Sequence, residues 1–506
     1  MKIEARVANV ETEPCDLLIL WGTQTDGSLD EAGWPVDLLS DDALSAVLTL
    51  GDFHGKLGEH VVVYPGGGAA KRLLVVGLGP YESFDLESMR EAAGAAARAA
   101  NALNAKDVLV SIPAVAAGET TKCKLIEALI IGARLALYRY PRNSTTTPIE
   151  DALRVDRLTL ATDPDDVEEI RESVAAGIAI AEAAIFVRTW VNHPANVATA
   201  TALQSAASDF ADSLGLNCTI LDHAALLKEN MGLFLAVAQG AKDAARMIVL
   251  EHNPPKRSTP DAGPVVLVGK GILFDTGGYS LKGRDTMLNM SSDMAGSAVV
   301  LGVMQAVARL KLPLHVIALA PIVENLIGPE AYRPDDVFYA KNGKSVEIRS
   351  TDAEGRLILA DALCYADTLK PSAVIDVATL TGSKNAALGP RTNALFASDD
   401  ALAEALLKAS GRSGEPLWRM PLDPAYDRQL KSQVADLKNT GGKLAGTITA
   451  ARFLAQFVGT WPWSHIDIAG SARYGTGSEY TPRSYLTKGG TDIPMRTLVE
   501  YLRKLA

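Results

Sequence analysis

The stretch Val265-Val-Leu-Val-Gly-Lys270-Gly-Ile-Leu-Phe-Asp275 joins an unbroken apolar run to two charged residues. An apolar run without polar alternation is typical of a strand that is buried on both faces of a sheet. Leu314–Ile322 and Ala373–Ala378 have the same character, and they alternate with helical patterns at Gly296–Leu310 and Leu357–Leu369. This alternation predicts a C-terminal α/β domain with a mixed sheet covered by helices on both faces.

The first third of the chain shows a similar alternation on a smaller scale. The apolar runs Leu17–Trp21 and Leu73–Gly79 predict buried strands, and the alanine-rich stretch Leu86–Leu103 predicts a helix. A further helical pattern at 164–189 begins with acidic residues, which favour a helix N-terminus. We therefore predict two α/β domains, at 1–165 and 191–506, joined by a linker helix at 166–190.

Length, charge and cysteine usage narrow the class of protein. A chain of 506 residues is long enough for about two to four domains, and its net charge of −11 argues against a broad nucleic-acid-binding surface. No apolar run approaches the ~18 residues of a membrane span, and the N-terminal residues lack the apolar core of a secretory signal. The four cysteines are far apart, which predicts reduced thiols. We expect a cytoplasmic protein without membrane partners, and nucleic acid is a disfavoured partner.

Side chains suited to metal binding concentrate in two segments, one around Lys270 to Asp293 and one at Ser350-Thr-Asp-Ala-Glu-Gly-Arg-Leu357. Two divalent cations about 3.5–4 Å apart need several oxygen donors and at least one bridging carboxylate. The neutral amine of Lys270 can serve as a nitrogen ligand, while Lys282 and Arg356 can polarise a carbonyl or hold an anion. Four carboxylates provide oxygen donors: Asp275, Asp293, Asp352 and Glu354.

Each of these residues also has a simpler interpretation. Taken singly, Asp293, Asp352 and Glu354 precede helical patterns and suit helix N-caps. Lys282 is equally well an exposed surface lysine, and Arg356 the partner in a salt bridge. The seven histidines form no His-Glu-x-x-His pattern, which disfavours a histidine-ligated zinc centre.

The two segments resemble the leucyl aminopeptidase (cytosol aminopeptidase) family. The family signature is Asn-Thr-Asp-Ala-Glu-Gly-Arg-Leu, and seven of its eight positions match here, with Ser350 in place of the asparagine. Ser291 stands where the family usually has a lysine. The resemblance is dense from about residue 190 onward and also covers Asp376–Gly382, Ser432–Asn439 and His465–Gly470.

The resemblance implies a binuclear metal site. Asp275 and Glu354 would bridge the two ions, Lys270 and Asp293 would complete one site, and Asp352 would complete the other through its carboxylate and backbone carbonyl. Zn²⁺ or Mn²⁺ is expected, and Mg²⁺ and Co²⁺ are compatible with oxygen-rich ligands.

The implied activity is removal of the N-terminal residue from peptides by a water that two metals activate. In that scheme Lys282 polarises the scissile carbonyl and Arg356 holds a bicarbonate that acts as general base. The substrate side-chain pocket maps to five residues: Met290, Thr379, Gly382, Ala469 and Ala472. Some family members carry methionine where Ala472 stands, so a wider pocket is expected here.

The family further implies a homohexamer that acts on peptides with a free N-terminus. Two alternatives remain open at this point. One is a narrow dipeptidase, for example for Cys-Gly, which would differ only in pocket and access. The other is a peptidase with an additional DNA-binding role, which the acidic charge disfavours.

Overall fold

The computed structural model describes residues 1–25, 28–30, 42–113, 121–140, 153–253, 263–475 and 483–506. The chain divides into two compact units. The N-terminal unit comprises Met1–Glu182 with Glu479–Thr487, and the C-terminal unit comprises Ala183–Ser478 with Lys488–Ala506. The functional domain boundaries at 1–165, 166–190 and 191–506 stay a prediction.

A seven-stranded sheet forms the centre of the N-terminal unit, in the order β1-β7-β6-β2-β5-β4 with β3 beside β2. Its strands are parallel except β3 and β4. The strands are β1 (Lys2–Val7), β2 (Leu17–Thr25), β3 (Ser28–Asp30), β4 (His60–Val63), β5 (Leu73–Pro80), β6 (Asp107–Val110) and β7 (Arg157–Thr162). The helices are α1 (Asp42–Leu50), α2 (Leu86–Ala102) and α3 (Lys122–Ala136), with a short 3₁₀ turn at Tyr81–Ser83.

Helix α4 (Val167–Asn192) confirms the helical pattern predicted at 164–189, and the division between the two units falls within it. Within the described ranges it is the one helix long and apolar enough to cross a membrane by length and composition. Of its most apolar window, 61% is buried, as in the core helix of a globular protein.

The C-terminal unit contains a nine-stranded mixed sheet, in the order β17-β16-β19-β15-β10-β12-β9-β8 with β11 beside β12. Strands β19, β15, β10 and β12 are mutually parallel, whereas β9 runs antiparallel to β12. The strands are β8 (Asn217–Leu221), β9 (Arg246–His252), β10 (Val265–Gly269), β11 (Gly271–Asp275), β12 (Val316–Asn325), β15 (Ala373–Ala378), β16 (Asn393–Ala397), β17 (Leu417–Arg419) and β19 (Trp463–Asp467).

Two small sheets and ten helices complete this unit as described. The small sheets pair β13 (Val337–Tyr339), β14 (Ser345–Glu347) and β18 (Leu437–Lys438), and β20 (Arg473–Tyr474) with β21 (Gly489–Gly490). The helices are α5 (Ala200–Leu214), α6 (His223–Lys228), α7 (Gly232–Ala238), α8 (Arg284–Met287), α9 (Ala295–Arg309), α10 (Gly355–Thr368), α11 (Gly382–Leu388), α12 (Asp400–Ser413), α13 (Gly446–Ala455) and α14 (Met495–Leu505). Short 3₁₀ turns lie at Met290–Ser292 and Pro424–Leu430.

The central strand β10 is buried along its whole length. Successive side chains of a strand point to opposite faces, so both faces of the sheet are covered there. Val266 and Val268 belong to one core cluster with Leu357 and Leu363 of α10, and α9 contacts the same strand. The predicted α/β class and the mixed sheet with helical cover are confirmed.

The sheet also gathers the segments that carry the chemistry. Parallel strands end at the same edge, where ligands collect in open α/β sheets. Lys270 follows β10, Thr379 follows β15, and Ile468 follows β19. Asp275 ends β11 and pairs in register with Asn325 at the end of β12.

Candidate metal centre and substrate cavity

Three buried carboxylates converge at this edge of the sheet. One oxygen each of Asp275, Asp293 and Glu354 lies within 4.8 Å of the other two. Asp275 ends a strand, Asp293 follows the 3₁₀ turn at Met290–Ser292, and Glu354 directly precedes α10. Residues far apart in sequence are thus brought into metal-binding proximity by the ends of separate elements.

Two glycines allow the close approach of these segments. A Cβ atom built on Gly355 would lie only 2.4 Å from Cε of Lys270. Gly277 adopts a φ of +82°, a conformation that side chains disfavour, and its backbone N–H donates to Oδ1 of Asp275 over 2.8 Å. Glycine at both places lets the backbone pass next to the charged groups.

Lys270 is buried among the carboxylates. Its Nζ lies 2.8 Å from Oδ2 of Asp293 and 3.0 Å from Oε1 of Glu354, and it donates to the carbonyl of Thr379 over 3.0 Å. Burial lowers the pKa of the amine, but the negative charges of Asp293, Glu354 and Asp275 outweigh burial and raise the pKa above its ordinary value. In the metal-free protein the amine is therefore an ammonium, and it must lose that proton to become a ligand.

Lys282 connects the buried cluster to Asp352. Its Nζ lies 2.9 Å from Oδ2 of Asp275 and 2.5 Å from Oδ1 of Asp352. Burial lowers its pKa, and the charges of Asp275, Glu354 and Asp352 more than reverse that effect. The alternative of an exposed surface lysine is wrong, because the side chain is mostly buried and paired with two carboxylates.

The four carboxylates carry more negative charge than the two lysines neutralise. Burial raises the pKa of Asp293 to about 8, and the charges of Asp275 and Glu354 add to this while Lys270 opposes it. Burial and the same two carboxylates raise the pKa of Asp352 to about 6, against Lys282. A donor set with excess negative charge and hard oxygen atoms fits divalent cations.

The helix-capping interpretation is wrong for Glu354 and Asp293. Glu354 occupies the N-cap position of α10 but makes no side-chain capping hydrogen bond. The N-cap of α9 is Met294 rather than Asp293, and it makes no such bond either. The carboxylates of Asp293 and Glu354 face Lys270 instead.

Two polar residues hold the carboxylates, and the sequence predicted neither of them in that role. The fully buried amide of Asn325 donates to Oδ1 of Asp275 over 2.8 Å and to the carbonyl of Thr351 over 3.0 Å. The Thr379 hydroxyl, predicted only as part of the pocket, donates to Oδ1 of Asp293 over 2.5 Å. Such partners orient metal-binding carboxylates. Asn325 ends an apolar strand, and only its pairing with Asp275 reveals its role.

Arg356 is buried behind the carboxylates. Its Nη1 donates to the carbonyl of Asn439 over 2.9 Å, and its buried Nε has no hydrogen-bond partner among the described residues. Burial lowers the pKa of the guanidinium to about 10, against the charges of Glu354, Asp467 and Asp352. The predicted alternative of a salt bridge is wrong, since Arg356 pairs with no carboxylate in the described ranges. A buried cation with a spare donor fits an anion.

All twelve predicted site residues line one cavity of about 760 Å³. We call it the strand-end cavity. It contains the metal-site and catalytic candidates Lys270, Asp275, Lys282, Asp293, Asp352, Glu354 and Arg356, and the pocket candidates Met290, Thr379, Gly382, Ala469 and Ala472. The sequence prediction thus selected residues that meet in space, although the individual roles stay predictions.

His465 lies outside this cavity lining. It is fully buried, and its Nδ1 hydrogen-bonds Oδ1 of Asp376 over 2.5 Å, while Trp463 donates to Oδ2 of the same carboxylate. These contacts agree with its interpretation as a structural residue.

Family models match both units of the chain. A model of the cytosol aminopeptidase family catalytic domain matches residues 185–499, and one of its N-terminal domain matches residues 21–147. The chain belongs to the cytosol aminopeptidase family.

Relatives and solved structures agree with this membership. A probable cytosol aminopeptidase of Syntrophotalea carbinolica is 40% identical over 496 residues, which is 97% of each chain. One of Roseiflexus castenholzii is 39% identical over 504 residues, or 99% of each chain.

Among solved structures, the bottromycin maturation enzyme BotP in complex with Mn has a TM-score of 0.84 and 35% identity, covering 97% of this chain and 99% of its own. A tomato leucine aminopeptidase mutant has a TM-score of 0.85 and 31% identity, covering 100% and 96%. This cytosol aminopeptidase family member is therefore a hydrolase, a metal-dependent aminopeptidase. The comparisons give no support to the Cys-Gly dipeptidase or DNA-binding alternatives.

Proposed function

We propose that the strand-end cavity holds two divalent cations and removes single residues from the N-terminus of peptides. Five residues would hold the ions: Asp275 and Glu354 would be shared between them, Lys270 and Asp293 would serve one ion, and Asp352 would serve the other. The observation that carries this assignment is the convergence of three buried carboxylates beside Lys270. Zn²⁺ and Mn²⁺ are the preferred candidates, and the Mn in the BotP complex favours testing Mn²⁺ first. Mg²⁺ and Co²⁺ are further candidates.

The chemistry divides between the ions and the protein. When bound, two divalent cations supply Lewis acidity, which activates an attacking water, polarises the scissile carbonyl and provides a ligand position for the substrate's α-amine. Lys282 reaches the edge of the cluster and stabilises the negative charge that develops on the carbonyl oxygen. Arg356 is a buried cation with a spare donor, which supports its role in holding a bicarbonate as general base.

The pocket residues receive the side chain of the first substrate residue. Met290, Thr379, Gly382, Ala469 and Ala472 line the same cavity as the carboxylates. Thr379 belongs to both sets, because its hydroxyl holds Asp293 and its carbonyl accepts from Lys270. A side chain in the pocket therefore lies next to the metal ligands, as cleavage after the first residue requires.

A panel of aminoacyl amides and short peptides tests this function. Each substrate is offered with a free and with an acetylated N-terminus, to metal-stripped and metal-restored protein. We expect cleavage only of free N-termini and only after metal is restored. Cleavage of the acetylated series at a similar rate would contradict the proposed role of the α-amine.

We also propose a cytoplasmic homohexamer. The name cytosol aminopeptidase, which the relatives carry, supports the cytoplasmic location, and the hexamer is proposed from the family resemblance alone. Light scattering should return about six times the 53.5 kDa mass of one chain, and cell fractionation should place the activity in the cytoplasm. A fully active monomer in solution would contradict the hexamer.

A further inference from the structure

Lys384 on α11 is a buried lysine that does not pair with the carboxylates of the metal cluster. None of its surface is exposed, and it forms no ion pair with a carboxylate of the described residues. Its Nζ instead donates to three neutral oxygens: the carbonyl of Ala469 over 2.8 Å, the hydroxyl of Ser471 over 2.9 Å and the carbonyl of Gly389 over 3.1 Å. Lysine is almost never fully buried without a charged partner, so this arrangement has an energetic cost that calls for a role.

Two of these bonds, to Ala469 and Ser471, attach α11 to one wall of the strand-end cavity, and the third satisfies the carbonyl of Gly389 at the C-terminal end of α11 itself. Ala469 and Gly470 line that cavity, and so do Gly382 and Asn385 on α11. Gly470 has a φ of +83°, and a Cβ built on it would lie 2.0 Å from Oδ1 of Asn385. The turn at 469–471, which we call the pocket wall, is therefore packed closely against the helix that carries Lys384.

The pocket wall has further anchors besides Lys384, namely Asp467 and the Thr491 hydroxyl, which donates to the carbonyl of Ser471 over 2.7 Å. The carboxylate of Asp467 accepts from the backbone N–H groups of Leu380 and Ala469, over 3.1 and 3.0 Å. Asp467 thus holds the amide side of Ala469, and Lys384 holds its carbonyl side. Removing either anchor leaves one polar atom of the Ala469 peptide groups without that partner.

The ammonium of Lys384 suits these surroundings because it has three N–H donors for the three oxygen acceptors around it. Burial lowers the pKa of Lys384 to about 8, and the charge of Asp467 opposes this only in part. An apolar side chain at this position has no donor for the two half-buried carbonyls of Ala469 and Gly389, and an acceptor left without a partner is costly where water does not replace it.

We infer that Lys384 is a positioning residue that fixes the pocket wall and thereby sets which N-terminal side chains the enzyme accepts. The inference rests on the proposed function, because it requires that the first substrate residue occupies the pocket beside Ala469. A leucine side chain has three more carbon atoms than alanine with which to contact the wall. Loosening the wall therefore affects binding of large residues and leaves the metal-dependent step intact.

The test compares leucine and alanine amides as substrates for the metal-loaded parent and Lys384→Met. We expect kcat/KM for the leucine substrate to fall about tenfold relative to alanine, the size of effect that one methylene has in a hydrophobic pocket. The loss should appear in KM, with kcat and bound metal unchanged. Lys408→Met, at an exposed position on α12, is the matched control and should retain the parental ratio.

Two milder variants keep the test decisive if Lys384→Met does not fold. Lys384→Gln retains two N–H donors without charge and should keep part of the leucine preference that Lys384→Met loses. Ser471→Ala removes one acceptor and should lower the leucine-to-alanine ratio of kcat/KM slightly, in the same direction as Lys384→Met. A parental leucine-to-alanine ratio in Lys384→Gln and Ser471→Ala, or in folded Lys384→Met, would overturn the inference. So would an equal fall in kcat for both substrates. If the proposed function itself is wrong, the parent will instead fail to depend on metal or on a free N-terminus.

Discussion

Two buried lysines sit in very different surroundings at the same end of the sheet. Lys270 faces the carboxylates of Asp293 and Glu354, and its pKa is raised. Lys384 faces carbonyl and hydroxyl oxygens, and its pKa is lowered to about 8. Lys270 is thus held by ion pairs in the metal cluster, whereas Lys384 is held at the pocket wall by hydrogen bonds to neutral oxygens. Changes of charge should therefore affect catalysis in the first region, and changes of donor number should affect selectivity in the second.

The largest effect is expected from neutralising a bridging carboxylate. Glu354→Gln or Asp275→Asn leaves two cations repelling each other without a shared negative charge. Since changes around metal ligands already cost about 10–100-fold, we expect kcat/KM to fall by more than about 1,000-fold. Peptidase assays with elemental analysis of each variant measure this loss.

Glu404→Gln on the exposed face of α12 is the matched control for this experiment. It makes the same chemical change at a residue outside the cavity lining and should retain parental activity. Parental kcat/KM in Glu354→Gln would remove Glu354 from the metal site.

Lys282→Ala should have the next largest effect, on catalysis rather than on metal content. Removing one donor to the developing oxyanion typically costs about 10²–10³-fold in kcat, and we expect a loss in that range with two metals still bound. Lys408→Ala is the control. If kcat of Lys282→Ala equals that of the parent, Lys282 has no part in the transition state.

Asn325→Ala should reduce activity by about 10–100-fold, the range for residues that orient metal ligands. The variant loses the donor to Oδ1 of Asp275 but keeps every proposed ligand. Part of the activity should therefore return at high metal concentration, which a metal titration of the variant measures. No difference from the parent in that titration would show that Asp275 is oriented without Asn325.

Metal affinity should fall as the pH falls. In the metal-free protein burial raises the pKa of Asp293 to about 8 and that of Asp352 to about 6. Below those pH values the carboxyls hold protons that a metal must displace. Lys270 must also release its proton throughout this range. The apparent affinity should therefore drop by about tenfold per pH unit above pH 8, by up to about a hundredfold per unit below pH 8, and more steeply below pH 6. Isothermal titration of stripped protein from pH 5 to 9 measures this slope, and a flat profile would contradict it.

The sequence predicted most of the fold and twelve residues of the cavity lining, for identifiable reasons. Unbroken apolar runs mark strands that are buried on both faces, as β10 and β15 are. The motif around Asp352 predicted its site residues because it resembles the signature of a known family. The residues that the sequence did not predict act through tertiary contacts. Asn325 is a polar residue at the end of a mostly apolar strand, and Lys384 resembles a surface lysine on a short helix when only its sequence is considered. Neither contact can be read from local spacing.

The central claim is that activity requires two metal ions per chain, and measuring activity against bound metal tests it most directly. Protein stripped by chelation is titrated with Mn²⁺ or Zn²⁺, and bound metal per chain is measured by elemental analysis beside the rate of leucine amide cleavage. We predict no activity in the stripped protein and full activity only at two bound ions per chain. Full activity with no bound metal, or with one ion per chain, would contradict the two-metal site.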